Sequence, residues 1–355
     1  MERNGLPSGP ILITGAAGFI GYHVAARLLR EGYAVVGVDN LNDYYDVRLK
    51  SARLDRLKAN AGFEFHHIDL ADQRAVETLF ATHRFRYVIH LAAQAGVRYS
   101  IENPHVYVQS NLVGFLNVLE GCRQAKSAHL VYASSSSVYG ANRKVPFETS
   151  DPVDHPVSLY AATKKSNELM AHAYAHLYDL PVTGLRFFTV YGPWGRPDMA
   201  YYLFTKAIYE GTPIRVFNEG QMRRDFTYID DIVEGIVRVF AQPSSRDPAW
   251  NSLAPDPAAS AAPYRLFNIG SQRPVALLDF IQTLEDVIGR SAVKELYPMQ
   301  PGDVLETYAD VEPLSDAIDF RPKTTLRAGL ERFATWYASY HDLPAPAFHA
   351  VAHPG

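Results

Sequence analysis

Ile11-Leu12-Ile13-Thr14-Gly15-Ala16-Ala17-Gly18-Phe19-Ile20-Gly21 is the stretch on which the reading of this chain turns. Its apolar lead-in has the length and branching of a buried strand. After Gly18 the period changes: Ile20, Val24 and Leu28 fall on one face, with Ala25 and Leu29 beside them, until Gly32 closes a helix. Strand, glycine turn and helix together can hold a dinucleotide. Gly15 permits the tight turn, Gly18 lets the backbone approach a pyrophosphate, and Gly21 lets the helix pack on the strand. Ala17, Phe19 and Ile20 complete the turn, where free N–H groups and the positive end of the helix dipole meet the phosphates. The same glycines also suit an ordinary strand-to-helix turn. A second strand, Ala34-Val35-Val36-Gly37-Val38, tips the balance, because it ends in Asp39, close to the ~20-residue offset at which a carboxylate reaches the adenosine ribose. Asn40 follows rather than arginine, and a carboxylate would repel a 2′-phosphate. The expected cofactor is therefore NAD rather than NADP.

Bulk properties narrow the remaining classes. The 355 residues suffice for one large or two modest domains, and 47% hydrophobic with 20% charged residues is an ordinary globular balance. A net charge of −4 argues against nucleic acid as a partner. No apolar run reaches the ~20 residues of a membrane span, and Met1-Glu2-Arg3-Asn4-Gly5 lacks a signal-peptide layout, so a cytoplasmic protein with no membrane partner is expected. A single cysteine, Cys122, excludes an internal disulfide and reads as a buried thiol. The 13 histidines include no HExxH motif, and no metal is expected.

Strand and helix patterns alternate from the first glycine turn to Arg186, which predicts an α/β, doubly wound parallel sheet. Asp69, with Leu70 beside it, stands at the end of a third strand, where it either reaches an adenine amino group or caps the next helix. Leu91, Ala92 and Ala93 end a fourth strand in small residues across which a cofactor can lie. A long helix is predicted over 104–125. A fifth strand then runs into Ser134-Ser135-Ser136-Ser137, whose position favours hydroxyls aimed into the crevice. Beyond Arg186 the texture shifts to loops and shorter elements. The expected division is a dinucleotide domain over 9–186, to which 225–241 returns, and a smaller mixed α/β substrate-binding domain over 187–224 and 242–343. The Pro/Ala/Ser-rich stretch 242–263 reads as a surface loop and 344–355 as a flexible tail.

The chemistry concentrates at Tyr160-Ala161-Ala162-Thr163-Lys164, which places a phenol and an ammonium at i and i+4 on one helix face. A buried aromatic beside a solvated lysine would look the same. Beside a dinucleotide site and a serine run, the pair reads as catalytic: for a phenol of pKa ~10 to act as a base near neutrality it needs ~4 kcal/mol of preference for the phenolate, which Lys164 and a positive nicotinamide ring would supply. Ser135 would donate to the same substrate oxygen, giving a site for alcohol-to-ketone oxidation by hydride transfer.

With Thr14 to Gly21, Asp39, His90-Leu91-Ala92-Ala93, the serine run and the YxxxK at Tyr160, the chain resembles the extended short-chain dehydrogenase/reductase family over nearly its whole length. That resemblance implies a Rossmann sheet with NAD held by Gly15, Ala17, Gly18, Phe19, Ile20, Asp39, Asn40, Asp69, Leu70, Leu91, Ala92, Ala93, Tyr160 and Lys164. It also implies a homodimer joined by helices 104–125 and 158–178. The second half looks like the nucleotide-sugar branch: Arg224-Asp225-Phe226 matches a motif whose arginine binds UDP phosphates, and Pro301-Gly302-Asp303 a segment that closes on uridine.

Within that branch, 4,6-dehydratases and UDP-glucuronate decarboxylases carry acidic residues where this chain has Ser136 and Ser137. UDP-galactose 4-epimerases share Ser135, Tyr160 and Lys164 but usually have asparagine at Thr189. The run from Thr189 to Met199, with Gly96-Val97-Arg98-Tyr99-Ser100, resembles the UDP-glucuronate 4-epimerases, which implies 4-epimerisation to UDP-galacturonate through a transient 4-keto sugar. The implied substrate contacts are Arg98, Ser135, Ser136, Ser137, Phe188, Thr189, Arg196, Phe217, Arg224 and Asp303. Arg196 and Thr189 would take the substrate carboxylate, although an arginine between Gly195 and Pro197 can equally brace a loop. UDP-glucose/UDP-galactose epimerisation is the neighbouring alternative. A non-catalytic NAD-sensing regulator on the same fold is the alternative of another class, against which the retained Tyr/Lys pair speaks.

Overall fold

Short runs of β-branched or aromatic residues alternate with helical stretches through the first half. In the computed structural model, which describes residues 9–299 and 305–350, these runs form β1 (Ile11–Thr14), β2 (Val35–Asp39), β3 (Phe63–His67), β4 (Tyr87–His90), β5 (His129–Ser135) and β6 (Val182–Phe187). All pair in parallel in the order β6-β5-β4-β1-β2-β3. The order reverses between β1 and β4, and a crevice opens at the carboxyl ends there.

Helices α1 (Phe19–Arg30), α2 (Val47–Lys58), α3 (Gln73–His83), α4 (Tyr99–Glu102), α5 (Pro104–Tyr107), α6 (Gly114–Ala125) and α7 (Leu159–Tyr178) cover the two faces. The strands serve both layers by alternation: Ile11, Ile13 and Ile89 join the cluster under α1, while Leu12, Val88 and Leu130 join the cluster under α3, α6 and α7. Helix α1 ends as its sequence implied. Gly32 adopts φ +86°, and the amides of Gly32 and Tyr33 return to Leu29 O and Leu28 O. Ser158 caps α7 by accepting from the Ala161 amide at 3.1 Å.

Three expectations are corrected. The helix expected over 104–125 is interrupted by a π-helical turn at Val108–Val113, with α5 before it and α6 after. The segment 242–343 does not lie wholly outside the main sheet, because β10 (Tyr264–Ile269) pairs in parallel with β6 as its seventh strand. The tail expected to be loose after Leu343 instead stays on the body as far as Ala350, with a 3-10 turn at Ala347–Ala350, Pro346 buried and Phe348 packed on the core.

The remaining elements belong to the second half of the chain, and several of them roof the crevice. They are β7 (Thr189–Tyr191), β8 (Pro213–Phe217), β9 (Arg223–Tyr228), β11 (Pro274–Ala276), β12 (Val293–Tyr297) and β13 (Glu306–Thr307), with α8 (Ala200–Glu210), α9 (Ile229–Phe240), α10 (Leu277–Ile288), α11 (Glu312–Ile318) and α12 (Leu326–Tyr340). Strand β9 pairs with β7, β11 and β13, and β8 pairs with β12. Helix α9 packs back on α1 and β5. No described helix is long and apolar enough to cross a membrane.

Candidate active site

At the switch between β1 and β4 the chain turns at Gly15, with φ +73°, where an added Cβ would lie 2.8 Å from the Ala92 nitrogen. At Gly21 a Cβ would lie 2.0 Å from the Gly15 carbonyl, so only glycine lets α1 sit this close to the turn. Gly18 stands at the N-cap with extended backbone and no side chain capping it, so the first amides of α1 open into the crevice. The Asp39 carboxylate, 9% exposed, accepts from the Ala17 amide at 3.1 Å and the Leu41 amide at 2.9 Å, which fixes it at the mouth of the turn.

The crevice is one cavity of about 1270 Å³, above the ~300–1,000 Å³ of a site for a single drug-sized ligand and so roomy enough for a dinucleotide and a second molecule together. Its walls include Gly15, Gly18, Phe19, Ile20, Asp39, Asn40, Asp69, Leu70, Leu91, Ala92, Ala93, Tyr160 and Lys164. Ala17 is the exception among the expected cofactor residues: it is fully buried behind the turn, its amide given to Asp39 and its carbonyl to Arg53. Asp69 is not the cap of α3. Asp72 accepts there from the Ala75 amide, while Asp69 faces the cavity and accepts from Asn40 Nδ2 at 3.1 Å. This glycine turn, with its open amides and the Asp39 carboxylate, fits a dinucleotide.

Across the cavity, β5 delivers Ser135, the 3-10 turn that follows it delivers Ser136 and Ser137, and α7 delivers Tyr160 and Lys164. Ser135 Oγ donates to Ser137 Oγ at 3.1 Å and accepts the Ser137 amide. Burial raises the Tyr160 pKa above its ordinary value, against the opposing pull of the Ser135 hydroxyl and the Arg196 guanidinium. The pull expected from Lys164 is not among these causes. The lysine is 2% exposed, and its ammonium is pushed down to about 8 by burial, against the support of Glu168.

Arg98, Phe188, Thr189, Arg196, Phe217 and Arg224 all line the same cavity, and the Arg98 guanidinium lies over the Phe217 ring at 5.3 Å. Asp303, with Pro301 and Gly302, lies outside the described residues. The carbonyls of the loop just before Arg196 are held from behind. That work falls to Arg53, fully buried, which donates to Trp194 O at 2.6 Å, Gly195 O at 3.2 Å and Ala17 O at 2.8 Å, while the Arg196 amide donates to Tyr201 Oη. The Arg196 side chain is left on the cavity wall, where its Nε donates to Asp198 Oδ1 at 3.0 Å and its Nη2 to Asp198 Oδ2. Tyr44 Oη donates to the same carboxylate at 3.0 Å. Burial lowers the pKa of Arg196, but the Asp198 carboxylate more than offsets this, so the guanidinium stays charged.

No sequence pattern marks Arg53, which looks like any basic residue on an exposed helix face. Asp198 lies inside the run from Thr189 to Met199, but no spacing rule joins it to Tyr44, 154 residues away. The histidine spacing also missed a group away from the cavity: Glu64, His66 and His83 bring their ligand atoms within 4.8 Å of one another.

Fold and cavity together define a dinucleotide-dependent enzyme of the short-chain dehydrogenase/reductase class, with Ser135, Tyr160 and Lys164 on the wall of the same cavity as the glycine turn. The chain belongs to the NAD dependent epimerase/dehydratase family, whose profile matches residues 11–252, and NAD is the cofactor of that family. It is 50% identical over 330 residues to a probable UDP-glucuronate 4-epimerase of Rhizobium meliloti (strain 1021), covering 92% of this chain and 96% of that protein. The crystal structure of UDP-glucuronic acid 4-epimerase from Bacillus cereus with UDP-glucuronic acid and NAD superposes at TM-score 0.82, with 33% identity, over 93% of this chain and 99% of that one. The UDP-glucose 4-epimerase of Thermotoga maritima with UDP-glucose superposes at TM-score 0.81, with 30% identity, over 94% and 99%.

Proposed function

We propose that this chain interconverts UDP-glucuronate and UDP-galacturonate at C4, with the sugar in the pocket between β5, α7 and the roof. The observation that carries this reading is Arg196. It stands on the cavity wall with Asp198 holding only its Nε–Nη2 edge, which leaves the Nη1 edge for a substrate carboxylate beside Thr189 and the serine run. Held at the glycine turn and Asp39, NAD would supply the acceptor and donor for the C4 hydride. The protein's own groups do the rest: Tyr160 removes the 4-hydroxyl proton, Ser135 hydrogen-bonds the oxygen as it becomes a ketone, and Lys164 supplies positive charge from the next helical turn. The 4-keto sugar turns about its diphosphate link, so that the hydride would return to the opposite face of C4 while Tyr160 gives its proton back to the 4-oxygen. A 4-keto uronate is a β-keto acid, so Arg196, Thr189 and the serines must also hold its carboxylate out of the geometry that releases carbon dioxide. Ser136 and Ser137 stand where decarboxylation or dehydration chemistry needs an acid.

The same reading assigns Arg224 and Asp303 to the nucleotide diphosphate and uridine. It divides the chain into a dinucleotide part, 9–186 with 225–241 and β10, and a substrate-binding part made of the other roof elements. It also places the protein in the cytoplasm as a homodimer. Leu116 on α6 and Leu169, Leu177 and Tyr178 on α7 are 41–65% exposed, an apolar face suited to a second copy. The deciding experiment incubates purified protein with UDP-glucuronate and no added nucleotide and separates the products. UDP-galacturonate should accumulate to equilibrium without release of a pentose, since a cofactor restored in each turnover has no need to leave. Strict dependence on added NADP, or inertness toward every UDP-sugar, would refute it. A dimeric mass by light scattering, lost in Leu169→Glu, tests the assembly.

A further inference from the structure

Beneath the catalytic face lies an ion pair for which the chemistry above has no use. Glu168 on α7 and Arg186 on β6 have side chains 1% and 0% exposed. Arg186 Nε donates to Glu168 Oε1 at 2.8 Å and Nη2 to Oε2 at 2.9 Å, a two-point pairing. Ser134 Oγ donates to Oε1 at 2.7 Å, and Lys165 Nζ reaches Oε2 at 3.4 Å. The third nitrogen of Arg186 donates to Tyr139 Oη at 3.1 Å, and Tyr139 in turn donates to Asn268 Oδ1 on β10 at 2.6 Å. A buried ion pair is a poor source of stability, because removing two charges from water costs about as much as their attraction returns. Its location suggests another use. Tyr160, Lys164 and Glu168 follow at i, i+4 and i+8 on one face of α7, and Ser134 precedes Ser135 on β5.

We propose, on the epimerase reading above, that Glu168 is a positioning residue: clamped by Arg186 and Ser134, its carboxylate sets α7 against β5 and keeps Lys164 an ammonium one turn from Tyr160. The electrostatics agree with the geometry. Burial drives Lys164 toward its neutral form, and the Glu168 charge is the force that opposes it. The other titratable groups around Lys164 are Tyr160 and Lys165 on its own helix and His90 on β4. His90 is held neutral by burial, and Lys165 is engaged with Glu168, so neither can substitute for the carboxylate.

The test is the pH profile of UDP-glucuronate epimerisation. Lys164 is charged below its pKa, so losing the carboxylate lowers the pH at which the ammonium is lost. Glu168→Gln should reduce kcat at least tenfold at pH 7.5, keep KM for UDP-glucuronate within threefold, and move the alkaline limb to lower pH by half a unit or more. Because Gln would leave Arg186 charged and unpaired, the charge-free double variant Glu168→Gln/Arg186→Met is measured alongside and should show the same displaced limb. Glu168→Asp, which keeps the charge, should return the limb toward wild type. A limb that stays in place in a folded neutral variant overturns the proposal. If neither neutral variant folds, Ser134→Ala decides, since it removes one clamp and leaves the ion pair: a fall in kcat of threefold or more supports the proposal and an unchanged kcat overturns it. A wild-type protein without epimerase activity would instead defeat the functional reading, so the two failures are distinguishable.

Discussion

Arg196 shows how much one side chain's surroundings decide. Between a glycine and a proline, an arginine in isolation is as readily a brace as a ligand, and only the placement of Arg53 on the carbonyls of Trp194 and Gly195 separates the two. With the bracing done from behind, Arg196→Ala should leave the loop in place and remove the charge from the cavity. We expect UDP-glucuronate turnover to fall by ~2–4 kcal/mol of transition-state stabilisation, the range for losing one partner of a desolvated charge pair. Turnover of UDP-glucose, which has no carboxylate, should be largely spared. Paired kcat/KM measurements on the two substrates check this, and equal losses on both would return Arg196 to the role of a brace. Asp198→Asn refines the point. With the Asp198 charge gone, a guanidinium that was half-neutralised becomes a stronger site for an anion, so the KM for UDP-glucuronate should fall, severalfold at most, while the looser side chain lowers kcat.

Among the elements, the π-helical turn at Val108–Val113 does what no ideal helix at that place would. Wide turns of this kind occur where a helix must re-aim a side chain. Here Asn111, 2% exposed, lies in the turn, takes the Gln94 amide on Oδ1 at 2.8 Å, and donates Nδ2 to Gln94 O at 3.0 Å and Thr163 Oγ1 at 3.1 Å. The loop after β4, across which the cofactor would lie, is thereby tied to α7. Asn111→Ala strands both backbone groups of Gln94, and at ~1–3 kcal/mol for each buried unsatisfied group we expect a loss of ~2–6 kcal/mol in urea unfolding. Weaker retention of NAD through gel filtration should accompany it, whereas full retention would mean that the loop is held from elsewhere. The turn was invisible in the sequence because hydrophobic period cannot tell a helix from a helix with one extra residue in a turn. What was legible had a local cause: β-branched runs for β1, β2 and β4, Gly15 and Gly21 for the turn, Ser158 for the start of α7. β10 was missed for the opposite reason. Its partner β6 lies some 80 residues upstream, and an apolar strand after a loop carries no mark of the sheet it will join. Tyr160, Lys164 and Ser135 were legible because their spacing is itself the chemistry, while Glu168, Arg53 and Tyr44 act through contacts that only folding creates.

At the scale of the whole molecule, the sheet buries two imidazoles whose titration couples the fold to pH. His90 on β4 is 2% exposed with Nδ1 2.9 Å from Thr14 Oγ1, and His129 on β5 is fully buried between Phe240 O at 3.1 Å and Thr183 Oγ1 at 2.9 Å. Burial lowers His90 to about 3 and His129 to about 4, each from an ordinary 6.5. Both are therefore neutral in the folded protein wherever it is stable, and both take up a proton in the unfolded chain below pH 6.5. The unfolded state then binds more protons than the folded one, so stability is fully present above about 6.5 and is lost as pH falls toward 4. Each imidazole contributes a slope of at most about 1.4 kcal/mol per pH unit in that window, so the two together make the fold acid-labile well before most carboxylates titrate. Urea unfolding followed between pH 7.5 and 5 should show this decline. His129→Gln can keep a donor toward Phe240 O and cannot titrate, so it should remove one imidazole's share of the slope, at most about 1.4 kcal/mol per pH unit, while costing some stability at pH 7.5 through imperfect packing. A variant whose stability falls with pH as steeply as the wild type would assign the acid lability to the carboxylates instead.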